Sequence, residues 1–116
     1  MISFVLAALM TVGFAEENPV LEKIKVRCSS EWPGDFRMQK HCIERQHEGI
    51  NKLIAFTKRN GVVLDKIDFS DDAKRTPYEE MYIKCFMDWF DEDKGADYRM
   101  LSYCIERQEE AYKALK

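Results

Sequence analysis

Cys28-Ser-Ser-Glu-Trp32 and Asp35-Phe-Arg-Met-Gln-Lys-His-Cys42-Ile-Glu-Arg-Gln46 form a motif that this chain carries twice. The second copy reads Cys85-Phe-Met-Asp-Trp89 and then Asp97-Tyr-Arg-Met-Leu-Ser-Tyr-Cys104-Ile-Glu-Arg-Gln108. Between residues 35–53 and 97–115, 10 of 19 positions are identical. Duplication of this quality predicts two copies of one structural unit that share a core.

Helix-start signals open each copy. Asn18-Pro19 and Thr76-Pro77 each place a capping side chain before a proline at the first helical position. Glu79 completes a capping box with Thr76. These signals predict first helices over residues 19–31 and 77–90, the first of which is stopped by Trp32-Pro33-Gly34.

A second helix follows in each copy, capped by Asp35 or Asp97. The first of these ends at Asn60-Gly61, where glycine suits a left-handed C-cap. Each second helix has an apolar stripe at helical spacing, and Gly49 and Ala111 are the small residues at the points where a neighbouring helix is expected to cross. The stripes comprise Met38, Cys42, Gly49, Leu53 and Phe56, and Met100, Cys104, Ala111 and Leu115.

The predicted fold is all-α, with two disulfide-linked helical hairpins packed as a four-helix arrangement. The hairpins span about 18–60 and 76–116, within one domain over residues 16–116. Residues 61–75 join them and contain several apolar side chains, so we expect this linker to lie across the core.

Four cysteines in so short a chain indicate two disulfides in an oxidising compartment, for which three pairings are possible. Each copy of the motif holds one cysteine before its tryptophan and one after its methionine. The repeat therefore favours Cys28–Cys42 and Cys85–Cys104. A bridge of this kind closes a loop of about 15 to 20 residues and stabilises the chain by about 3 kcal/mol.

The first fifteen residues predict export. Residues 2–14 are uncharged and mostly apolar, and Gly13-Phe14-Ala15 has small residues where a signal peptidase requires them. Residues 1–15 are therefore interpreted as a signal peptide. The n-region has no Lys or Arg, which leaves retention as an anchor as the alternative, although the apolar run is shorter than the about 20 residues that span a bilayer. We expect no stable membrane span after cleavage and a periplasmic or secreted location.

Net charge is −3, from 21 acidic and 18 basic residues spread along the chain. No basic block or stripe is present, which argues against nucleic acid as a partner. A protein is the expected partner, and the sequence leaves the oligomeric state open.

Gln46 and Gln108 lie inside the apolar stripes, one turn after a cysteine. An unpaired buried amide costs about 1–3 kcal/mol, so each is expected to be well buried and bonded to backbone. The alternative is that both line a ligand groove.

Arg45 and Arg107 lie at the edges of the same stripes. Each is interpreted as an arginine whose stem covers apolar surface, with an anion clamp as the functional alternative. Trp32 and Trp89 each follow a cysteine by four residues and are expected to pack over its disulfide. A protein-binding rim is the alternative for both, because tryptophan is favoured at binding hot spots.

No metal or cofactor site is expected. His41 and His47 point to different sides of a helix, and neither recurs in the second copy. The turn Asp91–Asp97 resembles a calcium loop, but its glycine is one place early and Ser102 replaces the bidentate glutamate.

The pattern Cys-x3-Trp, then Asp-Phe/Tyr-Arg-Met-x3-Cys-x3-Gln, resembles one found in small exported bacterial proteins of uncharacterised function. It covers Cys28 to Gln46 and Cys85 to Gln108, over a third of the chain. The resemblance implies an exported helical repeat and carries no activity.

The leading functional hypothesis is a non-enzymatic binding module of the bacterial envelope or secreted space. The main alternative is an inhibitor or immunity-type protein that uses the acidic turn Asp91–Asp97 against a basic hydrolase or toxin. A third reading is an enzyme with a deep pocket lined by Arg45, Gln46, Arg107 and Gln108.

Overall fold

The computed structural model describes residues 18–116, and the predicted signal peptide, residues 1–15, lies outside them. The described chain is all-α, as predicted, with four α-helices and one two-stranded sheet. The helices are α1 (Pro19–Glu31), α2 (Phe36–Asn60), α3 (Pro77–Asp88) and α4 (Tyr98–Leu115).

The predicted caps are present. Asn18 accepts from the backbone N–H groups of Val20 and Leu21, and Thr76 and Glu79 form the complete capping box. Gly61 has a φ of 66°, the left-handed conformation that ends α2.

Helix α3 ends two residues earlier than predicted. Trp89 is its C-cap, and the chain then forms the short strands β1 (Phe90–Asp91) and β2 (Gly95–Ala96). Strands are predicted from apolar and polar residues that alternate over at least four positions, and strands of two residues are too short to show that pattern.

Both predicted disulfides are confirmed. Cys28–Cys42 joins α1 to α2, and Cys85–Cys104 joins α3 to α4, with Cα–Cα distances of 5.6 and 5.7 Å. The predicted pair of disulfide-linked helical hairpins is therefore present.

Contacts between Cα atoms divide the chain into two compact units. Among the described residues, the first consists of residues 18–43 and Glu92–Gly95, and the second of Glu44–Asp91 and Ala96–Lys116. In the first unit the buried side chains are Ile24, Arg27, Cys28 and Cys42.

The second unit holds the larger core, built from α2 after residue 43, the linker, α3 and α4. Its fully enclosed members include Cys85, Leu101 and Ile105. The linker contributes two of its five large apolar side chains to this core. Val62 and Ile67 are buried, whereas Val63, Leu64 and Phe69 are exposed. The linker contains two 3-10 turns, Leu64–Lys66 and Asp72–Lys74.

Candidate functional site

Gln46 is a buried scaffold amide, as predicted. Its Nε2 donates to Asp97 Oδ1 at 2.8 Å, and its Oε1 accepts from the Tyr98 backbone N–H at 2.7 Å. Asp97 Oδ1 also accepts from the Met100 N–H, which caps α4. Gln46 therefore links α2 to the N-terminus of α4, and it pairs the Tyr98 N–H, which has no partner within its own helix.

Gly49 lies one turn farther along the same face of α2. A Cβ built at Gly49 would stand 2.3 Å from the Tyr98 carbonyl oxygen and 2.9 Å from the Arg99 nitrogen. Only glycine permits this approach of the α4 backbone, so the predicted close crossing at Gly49 is confirmed.

Gln108 does not share the burial of Gln46, and the expectation that both amides are well buried is wrong for this copy. Its side chain is half-buried, and within residues 18–116 its carboxamide has no hydrogen-bond partner. It lines a groove of about 310 Å³ between α3 and α4, which we call the α3–α4 groove. The other lining residues are Pro77, Glu80, Met81, Lys84, Ala111, Tyr112 and Leu115. The copies diverge because a helix N-terminus covers Gln46, whereas the groove beside Gln108 is open.

Both predicted arginines are exposed. Arg45 is paired with Glu48 at 3.2 Å, and the Arg107 guanidinium carbon lies 5.8 Å from the centre of the Tyr103 ring. Arg45 lines a smaller groove, of about 130 Å³, beside Arg99, Ser102 and Glu106, apart from the α3–α4 groove. The structure therefore does not bring Arg45, Gln46, Arg107 and Gln108 together around one of the described pockets.

The expectation that both tryptophans pack as core is wrong. Trp32 is 41% exposed and Trp89 is 37% exposed. Each is the C-cap of its helix, with its backbone N–H bonded to the carbonyl of the cysteine four residues earlier. Because the helix stops at the tryptophan, the side chain no longer follows the stripe that spacing alone predicts. Because both rings are exposed, the alternative that they form a protein-binding rim stays a prediction.

A second groove, which sequence reasoning missed, lies between α3 and the linker. It has a volume of about 270 Å³ and an almost wholly apolar lining, and we call it the apolar groove. Phe69 and Met87 are 69% and 73% exposed at its edge. The lining residues are Leu64, Ile67, Phe69, Tyr82, Ile83, Phe86 and Met87. The abundance of large apolar residues in a 15-residue linker was the available signal, and it was assigned wholly to the core.

Stacked aromatic rings extend this surface along α3. The Tyr82 and Phe86 rings are 6.2 Å apart, and Phe86 stacks on Phe90 at 5.0 Å. Burial raises the pKa of the Tyr82 hydroxyl above its ordinary value, because apolar surroundings disfavour the charged phenolate. Phe90 is 47% exposed, which continues the apolar surface beyond the groove.

The backbone of the acidic turn is held by two cations of α1. Lys23 Nζ donates to the carbonyls of Glu92 and Asp93, at 3.1 and 3.0 Å, and Arg27 donates to the Gly95 carbonyl at 2.8 Å. The side chains of Asp91, Glu92 and Asp93 are exposed. Among residues 18–116, no group of three His, Cys, Asp or Glu side chains is arranged to hold a metal ion.

Comparison with protein-family models, with curated proteins and with solved structures finds no match for this chain. Two disulfides indicate an oxidising, extracytoplasmic environment. In the part of the chain from residue 18 onward, no helix has the length and apolar character that crossing a membrane requires.

Proposed function

We propose that the chain is a non-enzymatic binding module of the bacterial envelope or secreted space, which holds a partner protein at the apolar groove. The observation that carries the proposal is the groove itself, with Phe69 and Met87 exposed at its edge. Large exposed apolar surfaces on small proteins are characteristic of interaction sites. A partner's apolar side chain that enters the groove removes both surfaces from water, which favours association.

Export is part of the same proposal. It is supported by the signal-like sequence of residues 1–15 and by the two disulfides, which are rare in reducing compartments. The non-enzymatic role is supported by Gln46, one of the two duplicated glutamines. Its carboxamide is hydrogen-bonded to Asp97 and Tyr98 and so serves to position α4.

The test is capture of a partner from envelope extract by the mature protein and by the double variant Phe69→Asp/Met87→Asp. Both side chains are largely exposed, so the variant should fold normally and lose the captured partner, since a charge at the groove opposes burial. Val26→Asp changes an apolar residue of α1 that is 49% exposed and outside both grooves, and it should retain the partner. A partner retained by the double variant would contradict the proposal.

The second candidate is an inhibitor or immunity-type protein that blocks a basic hydrolase or toxin. It is favoured by the exposed side chains of Asp91, Glu92 and Asp93 on a turn whose backbone is held by Lys23. A complex of this kind should weaken as ionic strength rises and with Asp91→Asn/Glu92→Gln/Asp93→Asn. A partner that depends on the apolar groove should tolerate both changes.

A further inference from the structure

The contact between α2 and α4 has a docking face and a docking end. The face consists of Gln46, Gly49 and Leu53 on α2, and the end consists of Asp97 and Tyr98 at the start of α4. Gln46 bonds both members of the end, and Gly49 admits the Tyr98 carbonyl. Leu53 is only 6% exposed.

The second copy of the motif carries the same face without an occupant from residues 18–116. Gln108, Ala111 and Leu115 on α4 stand at the positions of Gln46, Gly49 and Leu53. All three line the α3–α4 groove, and Leu115 is 85% exposed.

The α3 side of this groove corresponds to α1 of the first copy in position but only partly in charge. Glu80 and Lys84 stand at the positions of Lys23 and Arg27, counted back from the first cysteine of each copy. Lys23 and Arg27 are the α1 residues that bind the carbonyls of the turn preceding α4. Lys84 keeps the positive charge of Arg27, whereas the Glu80 carboxylate cannot donate to a carbonyl and is paired with Arg75.

The first copy carries the matching docking end. Asp35 and Phe36 stand at the positions of Asp97 and Tyr98. Asp35 Oδ1 caps the Met38 N–H at 3.1 Å, as Asp97 caps Met100 at 3.3 Å. Phe36 is 78% exposed, whereas Tyr98 is half-buried.

We propose that copies of this chain associate head to tail, with the Asp35–Phe36 end of α2 from one copy docked in the α3–α4 groove of another. The Gln108 carboxamide then accepts from the Phe36 N–H and donates to the Asp35 carboxylate, which repeats the two bonds of Gln46. The Phe36 ring covers Leu115. The two surfaces differ, so the contact is heterologous and each copy retains one surface of each kind.

Three differences make this contact weaker than the one within the chain. Glu80 replaces Lys23, so a carboxylate stands where an ammonium group binds the carbonyls of the turn. Ala111 replaces Gly49, and its Cβ keeps an incoming backbone farther from α4 than Tyr98 is from α2. The segment before Asp35 is also five residues shorter than the segment before Asp97, counted from Cys28 (35 − 28 = 7) and from Cys85 (97 − 85 = 12). The association is therefore reversible and depends on concentration.

Sedimentation velocity of the mature protein over a range of concentrations tests the proposal. Phe36→Asp removes the docking end and Leu115→Asp removes the docking face. Both residues are highly exposed, so each variant should retain the circular dichroism of the native protein. The wild type should increase in mass with concentration, and each variant should associate about tenfold or more weakly, because a large apolar anchor is lost.

Mixing the two variants separates this contact from any other. Phe36→Asp keeps its docking face and Leu115→Asp keeps its docking end, so an equimolar mixture should form dimers and nothing larger. The control Phe69→Asp/Met87→Asp should associate like the wild type, whatever becomes of the proposed function at the apolar groove. A wild type that stays monomeric, a mixture that stays monomeric, or association lost in the control would each overturn the proposal.

Discussion

Identical residues perform different tasks in the two copies of the motif, and the glutamines show it most clearly. Gln46 and Gln108 follow the same Cys-Ile-Glu-Arg sequence. Gln46 bonds Asp97 and Tyr98, whereas Gln108 lines an open groove. Local sequence places an amide on a helix face, but only the tertiary neighbour determines whether the amide is satisfied there.

Replacing each glutamine by leucine should therefore have unequal effects. Gln46→Leu removes a buried hydrogen bond to Asp97, leaves the partly buried Tyr98 N–H unpaired and should lower the free energy of unfolding by about 1–3 kcal/mol. Gln108→Leu leaves no buried group unpaired and should change it by less than about 0.5 kcal/mol. Urea denaturation at low protein concentration measures both values. Equal losses would contradict the assignment.

Gly49 should respond opposite to an ordinary helical glycine. In an open helix, Gly→Ala stabilises by about 1 kcal/mol. Here the new methyl group meets the Tyr98 carbonyl, a backbone group that cannot turn aside. Gly49→Ala should therefore destabilise by about 1–3 kcal/mol, measured by thermal denaturation. A rise in melting temperature would show that α4 yields at this crossing.

At the scale of the helices, the sequence predicted where helices begin better than it predicted the residues and segments that follow their C-terminal ends. Capping residues determine a start locally, and Asn18, Thr76, Asp35 and Asp97 all cap as predicted. The disulfide pairing also followed from the repeat. The predicted burial of the tryptophans was wrong because the helix ends at each of them. The apolar groove was missed because apolar content alone does not distinguish a linker that enters the core from one that also lines a surface groove.

The C-terminal end of α2 is joined to α4 by hydrogen bonds to the Glu109 carboxylate. These bonds make the stability of the protein depend on pH. Glu109 is 7% exposed, accepts from Arg59 at 2.8 Å and also accepts from Asn60 at 3.0 Å. The hydrogen bond from Arg59 lowers the pKa of Glu109 below its ordinary value of 4.5. Folding thus favours the ionised carboxylate, and its contribution is complete above that value and lost as pH falls through the lower, folded-state pKa.

Glu109→Gln should therefore cost stability at neutral pH and lose less stability than the wild type as the solution is acidified. Denaturant titrations between pH 7 and pH 3 give the two curves, which should converge at the acid end. Glu110→Gln changes an exposed neighbour and should follow the wild-type curve. Parallel curves for Glu109→Gln and the wild type would exclude this carboxylate as the source of the pH dependence.

At the scale of the whole molecule, the two units differ in how much core supports them. The described part of the first unit has 30 residues, 26 in 18–43 and four in 92–95, and four buried side chains, of which two form its disulfide. Units below about 40 residues usually require a disulfide or a metal to fold. The second unit has nine buried hydrophobic residues in one cluster.

Removing Cys28–Cys42 with Cys→Ala at both positions should therefore loosen α1 first. Amide hydrogen exchange should accelerate in α1, while α3 and α4 remain protected. The matched variant, Cys85→Ala with Cys104→Ala, removes a bridge inside the larger core and should accelerate exchange in α3 and α4. The same exchange pattern in both variants would show that the units unfold together.

The order in which cysteines pair along the chain has a consequence for biogenesis. The first cysteine bonds the second and the third bonds the fourth, at separations of 14 and 19 residues, so no bridge encloses another. A chain that emerges into an oxidising compartment from its N-terminus can close each bridge as soon as the second partner arrives, before a wrong thiol competes. Each native partner is also the nearest cysteine along the chain, so reduced, denatured protein should regain both native bridges in a glutathione buffer without a disulfide isomerase. Peptide mapping of the refolded material would reveal the trapped, mispaired forms that this linear order is expected to avoid.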